Sequence, residues 1–128
     1  MSLDPLVFDV FARNCTSRPV MDTVAGRWGI LTLAALREGT HRFNELRRRV
    51  DGVSEKMLSQ TLHALERDGL VVREVRSAIP PRVEYSLTDL GARIAAKLNE
   101  LIELVEGEMP QITVAQERYD AREDDLRS

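Results

Sequence analysis

A mainly α-helical chain with one small β-hairpin is the fold class that three observations predict. Apolar residues recur at helical spacing in a succession of short stretches. Two of these, 43–50 and 54–68, are separated only by a short turn at Asp51-Gly52, and Gly69 stops the second. Directly afterwards, Leu70 to Arg76 and Arg82 to Leu87 alternate at period two around a proline tip. Helix, turn, a second helix with a polar outer face, then a hairpin: this order is a winged helix-turn-helix. Such a fold presents its second helix to a major groove while the hairpin reaches the backbone, which makes it a device for reading DNA.

Each element has its own local warrant. Leu3, Leu6, Val7, Val10 and Phe11 follow helical spacing after Asp4-Pro5, so a first helix is expected over about 4–14. A second is expected from Pro19 to Val24. A third, from Trp28 to Arg37, should bury Trp28, Leu31, Leu33, Ala35 and Leu36 and end at Gly39. Thr40-His41-Arg42 is an extended connector. The helix from Phe43 to Val50 buries Phe43, Leu46 and Val50. Ser54 has the chemistry of an N-cap, although Met57 stands where a capping box would place Glu or Gln. Helix 54–68 turns Leu58, Leu62 and Leu65 inward and leaves Lys56, Ser59, Gln60, His63 and Arg67 on other faces.

Between the strands, Ser77 to Pro81 reads as a stiff tip that cannot continue a ladder. Thr88 should cap a long final helix carrying Leu90, Ile94, Leu98, Leu101, Ile102, Val105 and Met109. That stripe is longer than one small domain needs. The N-terminal helix and this one are therefore expected to form a homodimer interface through Leu6, Val7, Val10, Phe11, Leu98, Leu101, Ile102, Val105 and Met109. Pro110 should interrupt the helix, with the acidic stretch after Asp120 frayed. The organisation expected is a single domain over 1–128. It comprises a DNA-binding core at about 19–91, dimerisation helices at about 4–14 and 89–109, and an acidic tail at about 110–128.

Composition narrows the function. At 128 residues, 43% hydrophobic and 30% charged, the chain is an ordinary single globular domain rather than a disordered one. No apolar run approaches the roughly 20 residues that span a bilayer, and no secretory signal opens the chain, so a cytoplasmic protein without a membrane partner is expected. One cysteine, Cys15, and two histidines make a poor metal site, and neither a metal nor a cofactor is expected. No Ser/His/Asp or Cys/His set and no glycine-rich phosphate loop is evident, so no catalytic residues are assigned and an enzyme is not expected. The net charge of −3 looks wrong for a DNA partner until it is divided along the chain. Residues 27–85 hold 11 Lys and Arg against 8 Asp and Glu, whereas the remainder holds 7 against 13, so the positive excess lies on the winged segment.

The DNA-contact candidates are Arg42, Ser54, Lys56, Ser59, Gln60, His63, Arg73, Arg76 and Arg82. Gln can pair bidentately with adenine, and Ser and Lys can reach phosphates or base edges. For the helix taken in isolation, the competing reading is a solvated face. Arg73, Arg76 and Arg82 flank the wing tip and suit phosphate or minor-groove contact. Their alternative is a charged strand edge that discourages aggregation, with Arg73 pairing across the ladder to Glu84. Arg47, Arg48 and Arg49 fan over about 200° of a helix, so only one or two can share a face. Trp28 reads as core and His41 as a connector residue rather than a sensor.

Several linked motifs over about residues 15–91 resemble the HxlR family of bacterial winged-helix transcription regulators, a branch near the MarR-like repressors. They are Cys15, Gly26-Arg27-Trp28, Arg42 to Leu46, Ser54 to Leu58, Leu65 to Val71 and Pro80 to Gly91. Two departures stand out: Thr16 replaces the family's usual proline after the cysteine, and Ala25-Gly26-Arg27 replaces the commoner Gly-Gly-Lys. The resemblance implies a DNA-binding transcription regulator and a backbone contact at Arg42. It also implies redox or electrophile sensing by Cys15, whose other reading is a small buried hydrophobe. The expected function is thus a sequence-specific regulator, a repressor, binding a pseudo-palindromic operator in double-stranded DNA as a homodimer and answering to a small-molecule or electrophile inducer. The alternative is a winged-helix protein-interaction module without DNA binding.

Overall fold

The computed structural model describes residues 8–127. They form α1 (Ser17–Ala25), α2 (Arg27–Arg37), β1 (His41–Arg42), α3 (Phe43–Arg49), α4 (Glu55–Arg67), β2 (Val71–Ala78), β3 (Pro81–Leu87), α5 (Asp89–Gly107) and α6 (Met109–Arg127). Residues up to Leu98 make one compact unit and those from Asn99 a second. The expected helix–turn–helix and wing are all in the first.

The core of that unit is built from leucines, most of which the helical periodicity placed inward; Leu70, expected in the first strand of the hairpin, joins them. Leu33, Leu46, Leu58, Leu62, Leu65 and Leu70 are fully buried, with Val24, Ala35, Leu36, Val50, Val53, Val71 and Ala95 around them. On α2 the inward stripe is Gly29, Thr32, Leu33 and Leu36, spaced i, i+3, i+4 and i+7. Leu31 falls off that stripe and is exposed, so its expected burial is corrected. Gly29 has a specific cause: a Cβ there would lie 1.7 Å from the Thr23 carbonyl oxygen, where α2 crosses close to α1. Trp28 is partly buried against the core, as its apolar helix face suggested.

The sheet has three strands in the order β1-β3-β2, all antiparallel. The expected extended connector is therefore more than a connector, because His41 and Arg42 pair with Tyr85 and Glu84. The ladder between β2 and β3 also runs further into the tip than expected, pairing Ser77 with Arg82 and Ala78 with Pro81. Proline is tolerated there because it begins its strand. A bulge between Val75 and Ser77 leaves Arg76 without a ladder partner.

Both ends of the chain depart from expectation. Over residues 8–15 the backbone is a series of turns rather than the expected helix, and residues 4–7 of that helix, with Leu6 and Val7, lie outside the described residues. Local side-chain bonds compete with helix here. Asp9 Oδ1 accepts the Phe11 N–H at 3.0 Å, and Arg18 donates to the carbonyls of Val10 and Phe11, both at 3.0 Å. At the other end the acidic tail is helical through Arg127. Pro110 sits in the first turn of α6, where its missing N–H has no helical acceptor to lose.

Candidate nucleic-acid interface

The second helix of the motif is set in place from both ends. At its start, Ser54 Oγ accepts the Met57 N–H at 3.1 Å, the N-cap bond expected of this serine. At its end, Gly69 takes φ +78°, and the chain turns into β2. Between these stops α4 divides cleanly. Leu58, Leu62 and Leu65 are buried, whereas Lys56, Ser59, Gln60 and His63 are all exposed. At ~100° per residue these four fall within an arc of about 100° on the outer side, a single presentable face.

The clefts around α4 sort the candidates further. Ser59 and His63 line one cleft of about 310 Å³ with Arg73 of β2, Glu66 and Tyr85, joining helix and wing. Gln60 borders a different groove, with Met57, Trp28 and Arg27, on the side of α1 and α2. Arg42 and Arg82 meet in a recess at the wing tip with Ser77, Pro80 and Pro81. The candidate residues thus occupy a helix face, the cleft beside it and the wing tip. Glu66 and Tyr85 were not singled out from sequence, because nothing in their spacing marks a cleft formed by tertiary packing.

Arg42 holds its place through its backbone. Its N–H donates to Glu45 Oε1 at 2.7 Å, which satisfies a free donor at the start of α3 and keeps the Glu45 carboxyl below the usual carboxylate range. Of the basic run, Arg47 pairs with Glu55 at 2.7 Å, and Arg49 makes a two-pronged bond to Glu38 at 2.8 and 2.6 Å. The Arg49 bond lowers the Glu38 pKa and raises that of Arg49. Two of the three arginines therefore have a carboxylate partner within the fold. On the wing it is Arg76, not Arg73, that reaches Glu84: Arg76 Nε lies 3.3 Å from Glu84 Oε1 and its Nη1 3.2 Å from Glu74 Oε2. Arg73 stands opposite Tyr85 instead. Exposed ion pairs of this kind are worth only about 0–1 kcal/mol, so the carboxylates restrain Arg76 without locking it.

Cys15 lies just before α1. Its Sγ accepts the Asp9 N–H at 3.2 Å and is 3.1 Å from Ser17 Oγ. The Ser17 hydroxyl first, then the backbone N–H groups of Ser17 and Asp9, hold the thiol below its ordinary pKa. Among the described residues no cluster of His, Cys, Asp and Glu is able to hold a metal ion, and no helix is long and apolar enough to cross a membrane.

Comparison with known proteins agrees with this architecture. The HxlR-like helix-turn-helix family matches residues 23–113. The HTH-type transcriptional regulator YtfH of Escherichia coli is 51% identical over 104 residues, 81% of this chain and 82% of that protein. The solved structure of the transcriptional regulator ytfH from Salmonella typhimurium is similar with a TM-score of 0.82 and 49% identity, covering 87% of this chain and 99% of the other. The redox regulator HypR in its oxidised form is similar at a TM-score of 0.66 and 35% identity, covering 73% and 96%. With its winged helix-turn-helix and this match over most of its length, the chain belongs to the HxlR-like helix-turn-helix family of transcription regulators.

Proposed function

We propose that the chain is a homodimeric, operator-specific transcription regulator of the cytoplasm that acts as a repressor. The observation that carries this reading is the joint presentation of Lys56, Ser59, Gln60 and His63 beside a wing bearing Arg73, Arg76 and Arg82. The helix face supplies donors and acceptors for base edges, and the wing and Arg42 supply cations for phosphates. Dimerisation is supported by apolar side chains left exposed along α5 and α6, chiefly Leu101, Leu104, Val105 and Met109. In the first unit Val10 and Phe11 are exposed as well, which supports a separate N-terminal contribution to dimerisation. Two recognition helices in a twofold dimer read half-sites about 10 bp apart or a multiple of that, so the operator is pseudo-palindromic. An inducer acts by changing the spacing of those two helices.

A specific observation favours thiol modification as one such signal. Cys15 carries a lowered pKa and lies next to the start of α1, and a structurally similar regulator is described as redox-responsive. The test is a footprint on the DNA upstream of the protein's own gene, with and without diamide, for wild type and Cys15→Ser. A symmetric footprint lost on oxidation in wild type alone supports both parts. A footprint indifferent to diamide removes the thiol signal and keeps the regulator. No footprint there or on the neighbouring divergent promoter counts against operator binding and favours an interaction module.

A further inference from the structure

We propose that Glu84, with Glu74, acts as a built-in brake on DNA affinity by holding the wing arginine Arg76 in competition with phosphate. The inference rests on the DNA reading above and adds a determinant that opposes binding.

Glu84 lies on β3, the middle strand, directly opposite Arg42 on one side and Glu74 on the other. Directly opposed residues of an antiparallel pair share a face, so two carboxylates stand side by side on the wing, an arrangement that is destabilising by itself. Arg76 relieves it. Displaced from the ladder by the bulge, it lies 3.2 Å from Glu74 and 3.3 Å from Glu84 at once. Its side chain remains 55% exposed, while that of Glu84 is 27% exposed. The arginine can therefore reach outward, but the inner carboxylate cannot follow it into solvent.

Phosphate capture by Arg76 thus has a definite consequence. It strips the shared counter-cation from the Glu74–Glu84 pair and leaves both carboxylates on a surface facing a polyanion. Arg42, opposite Glu84, is itself a candidate backbone contact, so it cannot serve both partners. The wing gains one phosphate contact and gives up two ion pairs, which makes Glu84 a determinant that sets affinity below what the arginines alone would provide. A regulator that must leave its operator on a signal benefits from such a limit.

The test is an anisotropy titration of a labelled mixed-sequence duplex, where binding is electrostatic and needs no known operator. Wild type, Glu84→Gln, Glu74→Gln, Arg76→Gln and the double variant Glu84→Gln/Arg76→Gln are compared over a salt series. Glu84→Gln should tighten binding about 3- to 10-fold and steepen the salt dependence by about one phosphate. Glu74→Gln should act in the same direction and gives an independent variant should Glu84→Gln fold poorly. In the Arg76→Gln background the gain should shrink to about twofold or less, because the carboxylate then has nothing to hold back. An equal gain with and without Arg76 would show general charge repulsion and overturn the proposal, as would no gain beside normal wild-type binding. A wild type without salt-dependent affinity would overturn the DNA reading itself, and the brake with it.

Discussion

Thr88 ties the last helix of the core to the corner where the recognition helix ends: its Oγ1 donates to the Gly69 carbonyl at 2.7 Å. The same oxygen accepts the Gly91 N–H at 3.0 Å, and the Thr88 N–H donates to the Leu70 carbonyl at 3.0 Å. One threonine therefore caps α5 and fixes the exit of α4 into the wing. Thr88→Val should cost about 0.5–2 kcal/mol of stability, read from urea unfolding. Gly91→Ala should cost more, because its Cβ would lie 1.9 Å from the Leu70 carbonyl oxygen and force the two segments apart.

Thr32 is the opposite case, a polar group with no return for its burial. Among the described residues its Oγ1 has no hydrogen-bond partner, and the side chain is fully buried. Thr32→Val keeps the shape and removes the unsatisfied hydroxyl, so it should raise stability by ~1 kcal/mol with DNA binding unchanged. A matched control is Leu62→Ala, which opens the core and should cost about 2–5 kcal/mol. Both are read from the same unfolding curves.

Acid should weaken the first unit through its carboxylates. Glu38, bonded to Arg49, and Glu45, bonded to the Arg42 N–H, both have lowered pKa values in the folded chain. A lowered folded pKa means the unfolded chain binds the proton more readily. The stabilisation is therefore full above the ordinary carboxylate range and is lost as pH falls through the folded value. Arg49, with its raised pKa, keeps its charge throughout that window. Urea midpoints should fall between about pH 6 and about pH 3, and Glu38→Gln with Glu45→Gln should flatten that fall.

The apolar residues of α5 and α6 should reveal the oligomer. Leu101 is 50% exposed and Val105 45% exposed in the single chain. Leu101→Glu or Val105→Glu should shift sedimentation from dimer to monomer and leave the melting of the first unit near wild type. A wild type that sediments as a monomer would remove the dimer.

Much of this was legible in sequence because burial and periodicity coincide. Leu58, Leu62 and Leu65 could only be inward on a helix that ended at Gly69, and the outer face followed. What escaped depended on single-residue shifts. Arg73 stands opposite Tyr85, one position away from Glu84 and so on the other face of the sheet, while Arg76, two residues past Glu74, reaches Glu84 instead. A strand of two residues, His41 and Arg42, carries no period to detect. Leu31 lost its expected place because Thr32 took the inward position, which hydrophobicity alone does not rank. At the N-terminus, Asp9 and Arg18 bond to backbone groups that a helix would otherwise have used.

The most direct measurement is a salt series of anisotropy titrations on operator DNA, comparing Gln60→Ala with His63→Ala and both with Arg82→Ala. Residues reading bases should cost about 1–3 kcal/mol on operator and little on unrelated duplex. Arg82→Ala should weaken both duplexes alike and lower the salt slope by about one. Affinity untouched by the α4 and wing substitutions, or insensitive to salt, would contradict the account that this face reads DNA.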